Sequence, residues 1–148
     1  MSFTRLIYHL VFPTKNRQNT ISVEGEKVLY KILYEIMKRE GAHIHRIGGM
    51  PDHVHILVDI PADISLSKFV QKLKQESSYL AKEAIELPQW NGWAEGYGGF
   101  SYSANEIDNV KQYIINQKEH HKRVSFIDEY RIWLLENGIS PDAPFFPK

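Results

Sequence analysis

The chain has 148 residues, of which 43% are apolar and 24% charged, a composition typical of a folded protein rather than a disordered or fibrous one. It contains no cysteine, which excludes disulfides, thiolate zinc sites and a cysteine nucleophile. Its 18 basic and 18 acidic side chains cancel, so any binding to phosphates would depend on a local cluster of lysines and arginines.

The length predicts a single domain over residues 1–148, with a loose proline-rich tail over about 140–148. The N-terminus lacks the continuous apolar stretch of a signal peptide. No run approaches the ~18 consecutive apolar residues that a membrane span requires. We therefore expect a cytoplasmic protein that makes no contact with a membrane.

Hydrophobic periodicity and breaker residues predict the secondary structure in chain order. The predicted elements are a strand over 3–12, a helix over 22–41, a hairpin over 42–60 with its turn at 48–52, a helix over 65–87, a strand over 98–102, and helices over 105–119 and 125–135. This order indicates an α+β fold, a ferredoxin-like antiparallel sheet of βαββαβ type with C-terminal helices.

The second strand of the hairpin carries the strongest local signal. Because side chains alternate along a strand, His53 and His55 share one face of the stretch MPDHVHILVDI. Two imidazoles held side by side on a rigid element can bind one metal ion. Imidazole pairs suit manganese, nickel, zinc or iron better than magnesium, which prefers oxygen ligands. The alternative is two surface histidines on a half-exposed strand.

Spacing alone does not select this pair. His43 and His45 have the same spacing within the same hairpin and are equally compatible with a metal site or with solvated strand residues. His9 is the only histidine on the first predicted strand, and this isolation favours a structural role for it.

A second group lies on the third predicted helix. Tyr113 and Gln117 are one turn apart on the same side, and His120 and His121 follow a further turn along. A phenol and an amide oxygen can therefore approach one target together. A free phenol titrates near ~10, so a nucleophilic tyrosine would need activation by a metal-bound phosphate or a nearby cation.

Three segments together resemble the single-tyrosine transposases of the His-hydrophobic-His (HUH) endonuclease superfamily. This group includes transposases of small insertion sequences and REP-associated tyrosine transposases. The segments are MPDHVHILV (50–58), GYGGFSYS (96–103) and VKQYIINQKEHH (110–121), followed by Ser125 and Phe126. The resemblance selects His53 and His55, because the pair of the family follows Met-Pro-(Asp/Asn).

The resemblance implies that Tyr113 is the nucleophile and that Gln117 joins His53 and His55 as a ligand of a divalent metal, Mg or Mn. It implies cleavage and rejoining of single-stranded DNA at hairpin-marked ends through a covalent 5′-phosphotyrosine intermediate. It also implies a homodimer with active sites completed between subunits, associated with the nucleoid. The segment over 140–148 departs from the tail expected of the family.

The DNA-binding surface is less evident from the sequence. A cluster of basic residues could contact phosphates, or could be an ordinary solvated surface; its members are Lys15, Arg17, Lys68, Lys72 and Lys74. An aromatic segment could stack on unpaired bases or pack in the core; its members are Trp90, Trp93, Tyr97 and Phe100.

Two other functions fit the same residues. One is a domesticated protein that binds hairpin DNA or RNA without cleaving it, since a fold alone never proves catalysis. The other is a metal-dependent hydrolase in which water attacks the substrate and Tyr113 only packs. A covalent protein–DNA adduct distinguishes both from a transposase.

Overall fold

The computed structural model describes residues 2–140, so the predicted tail lies outside the described residues apart from Ser140. The strands are β1 (Ile7–Pro13), β2 (His43–Met50), β3 (His53–Asp59) and β4 (Gly98–Tyr102). The helices are α1 (Val23–Arg39), α2 (Leu66–Glu83), α3 (Ile107–Ile115), α4 (Gln117–His120) and α5 (Phe126–Glu136). Short 3-10 turns occupy Lys15–Arg17 and Ala104–Glu106.

The strands form one antiparallel sheet in the order β2-β3-β1-β4. The central strand β1 pairs with β3 on one side and β4 on the other, and β2 pairs with β3 at the edge. With α1 and α2 as the connecting helices and α3 to α5 appended, this confirms the predicted ferredoxin-like fold.

Helices cover both faces of the sheet. On one face, side chains such as Leu10, Val54 and Ile56 pack with α1 and α2 in the larger core. On the other face, Val11 and Leu57 pack with apolar residues of α3 and α5. Because side chains alternate along β3, the second face also carries its histidines, which are buried rather than half-exposed.

The first strand is shorter than predicted. It begins at Ile7, and Phe3 is 90% exposed. The physical reason lies in its partners, because Ile7 pairs with Asp59 and with Tyr102, the residues at which β3 and β4 end. The Ile60 amide still donates to the Leu6 carbonyl at 3.0 Å, but no strand pairing extends to the exposed Phe3.

The second helix also ends earlier than predicted. Its start agrees, because the Ser65 side chain accepts a hydrogen bond from the Lys68 amide. The helix ends at Glu83, and Ala84 has an extended backbone. The chain leaves the helix there and buries Leu87 in the core.

The helix predicted over 105–119 is divided at Asn116 into α3 and α4. The turn itself continues, because the Asn116 amide donates to the Gln112 carbonyl at 3.0 Å and the His120 amide donates to the Asn116 carbonyl at 2.9 Å. Tyr113 and Gln117 consequently remain one turn apart on the side that faces the sheet.

The hairpin turn is confined to Pro51 and Asp52, whereas the sequence predicts a turn over 48–52. Gly48 belongs to β2 instead and pairs with His55 of β3, and α3 lies directly over it. A Cβ at Gly48 would lie 2.7 Å from Cγ2 and 2.9 Å from the carbonyl oxygen of Ile114. The glycine is required for the close approach of α3 to the sheet.

We expect Gly48→Ala to lower the free energy of unfolding by about 1–3 kcal/mol, because the clash with the Ile114 backbone displaces α3. Urea denaturation measures this change. Gly99→Ala is the matched control, since the nearest atom to its added Cβ is a side-chain carbon of Tyr97 at 3.3 Å. Equal stability of the two variants would contradict the close approach.

Within residues 2–140, none of the helices has both the length and the apolar character needed to cross a membrane.

Candidate metal and nucleophile site

Two buried imidazoles lie side by side near the start of β3. His53 and His55 alternate with Val54, whose side chain enters the core on the opposite face. Their ring centroids are 5.0 Å apart. The ring of Phe126, at the start of α5, stacks on His53 at 4.1 Å. The pair is therefore held on a rigid strand beneath α5.

The carboxylate of Glu129, on α5, lies at the centre of this face. Its Oε1 is 3.0 Å from Nε2 of His55 and 3.6 Å from Nε2 of His53. Its Oε2 is 3.2 Å from Nε2 of His120 and 3.1 Å from Nε2 of His121. Since Glu129 is 2% exposed, these histidines or a cation must balance its charge in place of water.

The phenol and the amide predicted on one helical side also reach Glu129. The Tyr113 hydroxyl donates a hydrogen bond to Oε2, and the Gln117 amide nitrogen donates to the same oxygen at 3.1 Å. The Gln117 amide oxygen lies 3.1 Å from Nε2 of His53. One chain thus brings together the tyrosine, the glutamine and the histidine pair around a single carboxylate.

The other nitrogen of each imidazole has a protein partner. Nδ1 of His53 lies 2.7 Å from the carboxylate of Asp52. Nδ1 of His55 lies 2.7 Å from Nε2 of His9, which is itself buried on β1. Such outer contacts orient the rings and direct both Nε2 atoms toward Glu129.

Burial controls the protonation of the histidines. It lowers the pKa of His55 to about 4, although the hydrogen bond with Glu129 acts in the opposite direction. Burial also lowers the pKa of His9, and the nearby His55 lowers it further. The His9–His55 pair is therefore neutral near pH 7, as a metal-binding imidazole must be.

The pKa values of Glu129 and Tyr113 are shifted as well. Burial acts to raise the pKa of Glu129, but hydrogen bonds from His121 and His55 outweigh it and hold the pKa well below its usual range. Burial and then the Glu129 charge raise the pKa of Tyr113. In this arrangement Glu129 is ionised and the Tyr113 phenol keeps its proton.

A cleft of about 400 Å³ opens beside the Tyr113 phenol. Its walls include Asn109 of α3, Trp133 of α5 and the partly exposed His120. The indole nitrogen of Trp133 donates a hydrogen bond to the Tyr113 hydroxyl at 3.1 Å. A substrate entering this cleft would meet the phenol before it meets the buried histidines.

The predicted basic cluster is divided between two regions. Lys15 and Arg17 form a turn at the His53 end of the sheet, where the Thr14 amide donates to the Asp52 carbonyl at 2.9 Å. The other three basic residues lie on α2, across the sheet from the histidines, and they are Lys68, Lys72 and Lys74.

Two of those lysines have partners within the chain. Lys72 pairs with Glu40 at 2.9 Å, and Lys74 donates to the carbonyls of Ala94 and Gly96 at 2.7 and 2.8 Å.

The side chains of the predicted aromatic segment pack within the protein. Trp90, Trp93 and Tyr97 pack against the larger core, and Phe100 belongs to the cluster beneath α5.

The competing pair His43 and His45 lies on the edge strand β2, where His43 pairs with Asp59 at the far end of β3. Their rings contact each other, and neither belongs to a group of three ligating side chains among residues 2–140. His120 and His121, whose roles the sequence leaves open, instead contact Glu129.

Sequence reasoning missed Glu129, and one signal could have identified it. The buried side of α5 is formed by Phe126, Tyr130 and Leu134, at spacings of four residues. Glu129 lies within this apolar stripe, where an unpaired carboxylate would be costly. An acidic residue at such a position indicates a buried polar partner on the facing element.

The sequence is similar to those of known transposases. The sequence profile of a family described as "Transposase IS200 like" matches residues 2–117. The ISDra2 transposase TnpA of Deinococcus radiodurans is 28% identical over 120 residues, which cover 78% of this chain and 86% of that protein. The transposase for insertion sequence element IS200 of Salmonella typhimurium is also 28% identical, covering 78% of each chain.

Two solved structures are similar in fold. A putative transposase from Deinococcus radiodurans superposes with a TM-score of 0.61 at 30% identity, covering 78% of this chain and 93% of that chain. A REP-associated tyrosine transposase bound to a REP hairpin superposes with a TM-score of 0.62 at 15% identity, covering 84% of this chain and 76% of that chain.

Proposed function

The chain belongs to the IS200-like transposase family, and we propose that it cuts and rejoins single-stranded DNA through Tyr113. A divalent metal, Mg or Mn, held by His53, His55 and Gln117 assists the reaction. The observation that supports this proposal most strongly is that the phenol, the amide and both imidazoles surround one buried carboxylate.

The donor atoms fit a cation. When the His53 ring carries one proton, the Asp52 carboxylate, which only accepts, places that proton on Nδ1. The lone pair of Nε2 then faces the lone pairs of the Gln117 amide oxygen at 3.1 Å. A proton or a metal ion between the two atoms removes their repulsion, and the Gln117 oxygen also lies 3.0 Å from Nε2 of His121. The arrangement therefore fits a bound metal.

The proposed reaction exchanges one phosphodiester for another. When bound, the metal would polarise the scissile phosphate and stabilise its developing charge. The Tyr113 oxygen forms a bond to phosphorus as the bond to the 3′-oxygen breaks, and the proton of the phenol is balanced by the proton on the released 3′-hydroxyl. The 5′-phosphotyrosine keeps the reactivity of a phosphodiester, so a second 3′-hydroxyl can reverse the step without ATP.

The helices hold the nucleophile for this step. The Tyr113 hydroxyl accepts from Trp133 and donates to Glu129, so its lone pairs and its position relative to the histidines are defined before substrate arrives. Such preorganisation contributes to the rate because the reacting oxygen need not be ordered in the transition state.

We propose single-stranded DNA with a hairpin as the partner, by analogy with the REP-associated relative. The turn carrying Lys15 and Arg17 is the favoured phosphate contact, since it lies at the His53 end of the sheet. Lys68 is a further candidate, whereas binding by Lys72 and Lys74 would require them to exchange their partners within the chain.

The test is formation of a covalent adduct. Single strands from the DNA flanking the gene are incubated with the chain and manganese, and we expect a protein–DNA band that survives denaturation. EDTA should prevent the band, because the phosphate would lose its activating cation. Hairpin binding without a covalent band at any metal concentration would favour a domesticated hairpin-binding protein. Strand cleavage without a covalent band would favour a hydrolase.

A further inference from the structure

We propose that Glu129 is a ligand of the metal through Oε1 and the positioning residue of the nucleophile through Oε2. This inference rests on the proposed function, whose ligands are the histidine pair and Gln117. It assigns to α5 a direct role in the site. It also explains why a carboxylate is buried among the aromatic side chains of that helix.

The distances around Oε1 are those of a ligand set. Ligand atoms bound at ~2.1 Å to one divalent ion lie about 3.0–3.5 Å from one another. Oε1 is 3.0 Å from Nε2 of His55 and 3.6 Å from Nε2 of His53, and the Gln117 oxygen is 3.1 Å from the latter. The ligand atoms of His53, His55 and Glu129 all lie within 4.8 Å of one another, so one ion among them could bind all three residues.

The chemistry of the set also favours the carboxylate. Two neutral imidazoles and an amide provide no negative charge, and imidazoles bind magnesium weakly. An anionic oxygen neutralises half of the charge of a divalent ion and adds the ligand type that magnesium and manganese prefer. With Glu129 included, the site suits the metals proposed for the reaction.

The second oxygen faces the nucleophile. Oε2 accepts hydrogen bonds from the Tyr113 hydroxyl and from the Gln117 amide, and His121 approaches it at 3.1 Å. One rigid carboxylate therefore connects the metal position to the phenol. Its two oxygens set the distance between the reacting oxygen and the polarised phosphate.

This role lies beyond the part of the chain that defines the family. The family profile ends at residue 117, whereas Glu129 is on α5, over residues 126–136. The start of that helix is secured by Ser125, whose side chain accepts from the Asp128 amide. Glu129 follows in the first turn, so the cap fixes where the carboxylate enters the site.

The experiment measures manganese affinity by titration calorimetry on the full chain. We expect Glu129→Gln to weaken Mn²⁺ binding by about tenfold or more, since an anionic ligand is replaced by a neutral one of the same shape. Glu119→Gln is the matched control. It removes the same charge from an exposed residue of α4 that pairs with Lys122, and it should bind Mn²⁺ as tightly as the unmodified chain.

Three outcomes overturn the inference. If Glu129→Gln binds Mn²⁺ as tightly as Glu119→Gln while the unmodified chain forms the covalent adduct, Glu129 is not a ligand and the proposed function stands. If Glu129→Gln cuts DNA faster than the unmodified chain, the carboxylate blocks the site. If the unmodified chain binds no Mn²⁺, this inference and the metal dependence of the proposed function both fail.

A second measurement applies if Glu129→Gln does not fold, as judged by circular dichroism. Crystals of the unmodified chain are soaked in manganese, and anomalous scattering locates the ion. An ion within about 2.3 Å of Oε1 and of both imidazole nitrogens supports the assignment. An ion on the imidazoles with the carboxylate farther than about 4 Å away overturns it.

Discussion

Tyr113→Phe is expected to abolish the covalent protein–DNA adduct while leaving hairpin binding intact. Phenylalanine keeps the ring that packs against Trp133 and His55 but lacks the oxygen that would bond to phosphorus. We expect cleavage to fall by at least about a thousandfold, as for loss of a covalent nucleophile. Denaturing electrophoresis measures the adduct, and a mobility shift on the same strands measures binding.

The matched control is Tyr79→Phe, which removes the same hydroxyl from an exposed residue of α2 on the opposite side of the sheet. It should form the adduct at the rate of the unmodified chain. Mass spectrometry of the adduct should locate the nucleotide on the peptide that contains Tyr113. A Tyr113→Phe variant that still forms the band would show that another residue attacks and would remove the basis of the assignment.

The fold was predictable wherever local patterns and long-range packing agree. The strand β4 has the predicted bounds. The helices predicted to begin at Ser22 and Ser65 are capped by these side chains, because turn and cap chemistry act within a few residues. The extent of β2 was not predictable in this way. Gly48 and Gly49 are typical of a turn, and only the tertiary structure shows why a strand needs them. Helix α3 lies over Gly48, and the backbone of His53 and Val54 approaches Gly49 closely.

The candidate site was predictable in part for the same reason. The spacing of His53 and His55 on a strand, and of Tyr113 and Gln117 on a helix, places each pair on one side of its element. That the two pairs meet depends on tertiary packing, and the residue that joins them is distant in sequence. Glu129 is 74 positions from its hydrogen-bond partner His55, so no local pattern relates them.

Burial also changes what the histidine spacing implies. The sequence left open whether His53 and His55 were surface residues, because an alternating strand can face solvent on one side. The helices α3 to α5 cover that face, and the pairing of β1 with β3 places the His9 ring 4.9 Å from that of His55. His9 therefore contacts the site through Nδ1 of His55 and is not isolated on the first strand.

The contacts within one chain predict whether the active site forms within a subunit or between subunits. The resemblance implies a homodimer in which one subunit completes the active site of the other. In the described chain, Tyr113 and Gln117 already contact Glu129, which contacts His55 within the same subunit. The ion pair of Lys118 with Glu26, at 2.6 Å, further joins α4 to α1 of that subunit. We therefore expect each site to be completed within one chain.

Mixing two inactive variants tests this expectation. One variant carries Tyr113→Phe, and the other carries His53→Gln and His55→Gln, which should abolish both manganese binding and cleavage because the imidazole ligands are lost. If each site forms within one chain, the mixture stays inactive, since every chain lacks either the nucleophile or the metal ligands. If partners exchange their tyrosine helices, a dimer of the two variants contains one intact site, and about a quarter of the sites should recover after random assembly. The yield of covalent adduct in the mixture, with circular dichroism to verify folding of each variant, therefore decides between assembly of the site within a subunit and assembly between subunits.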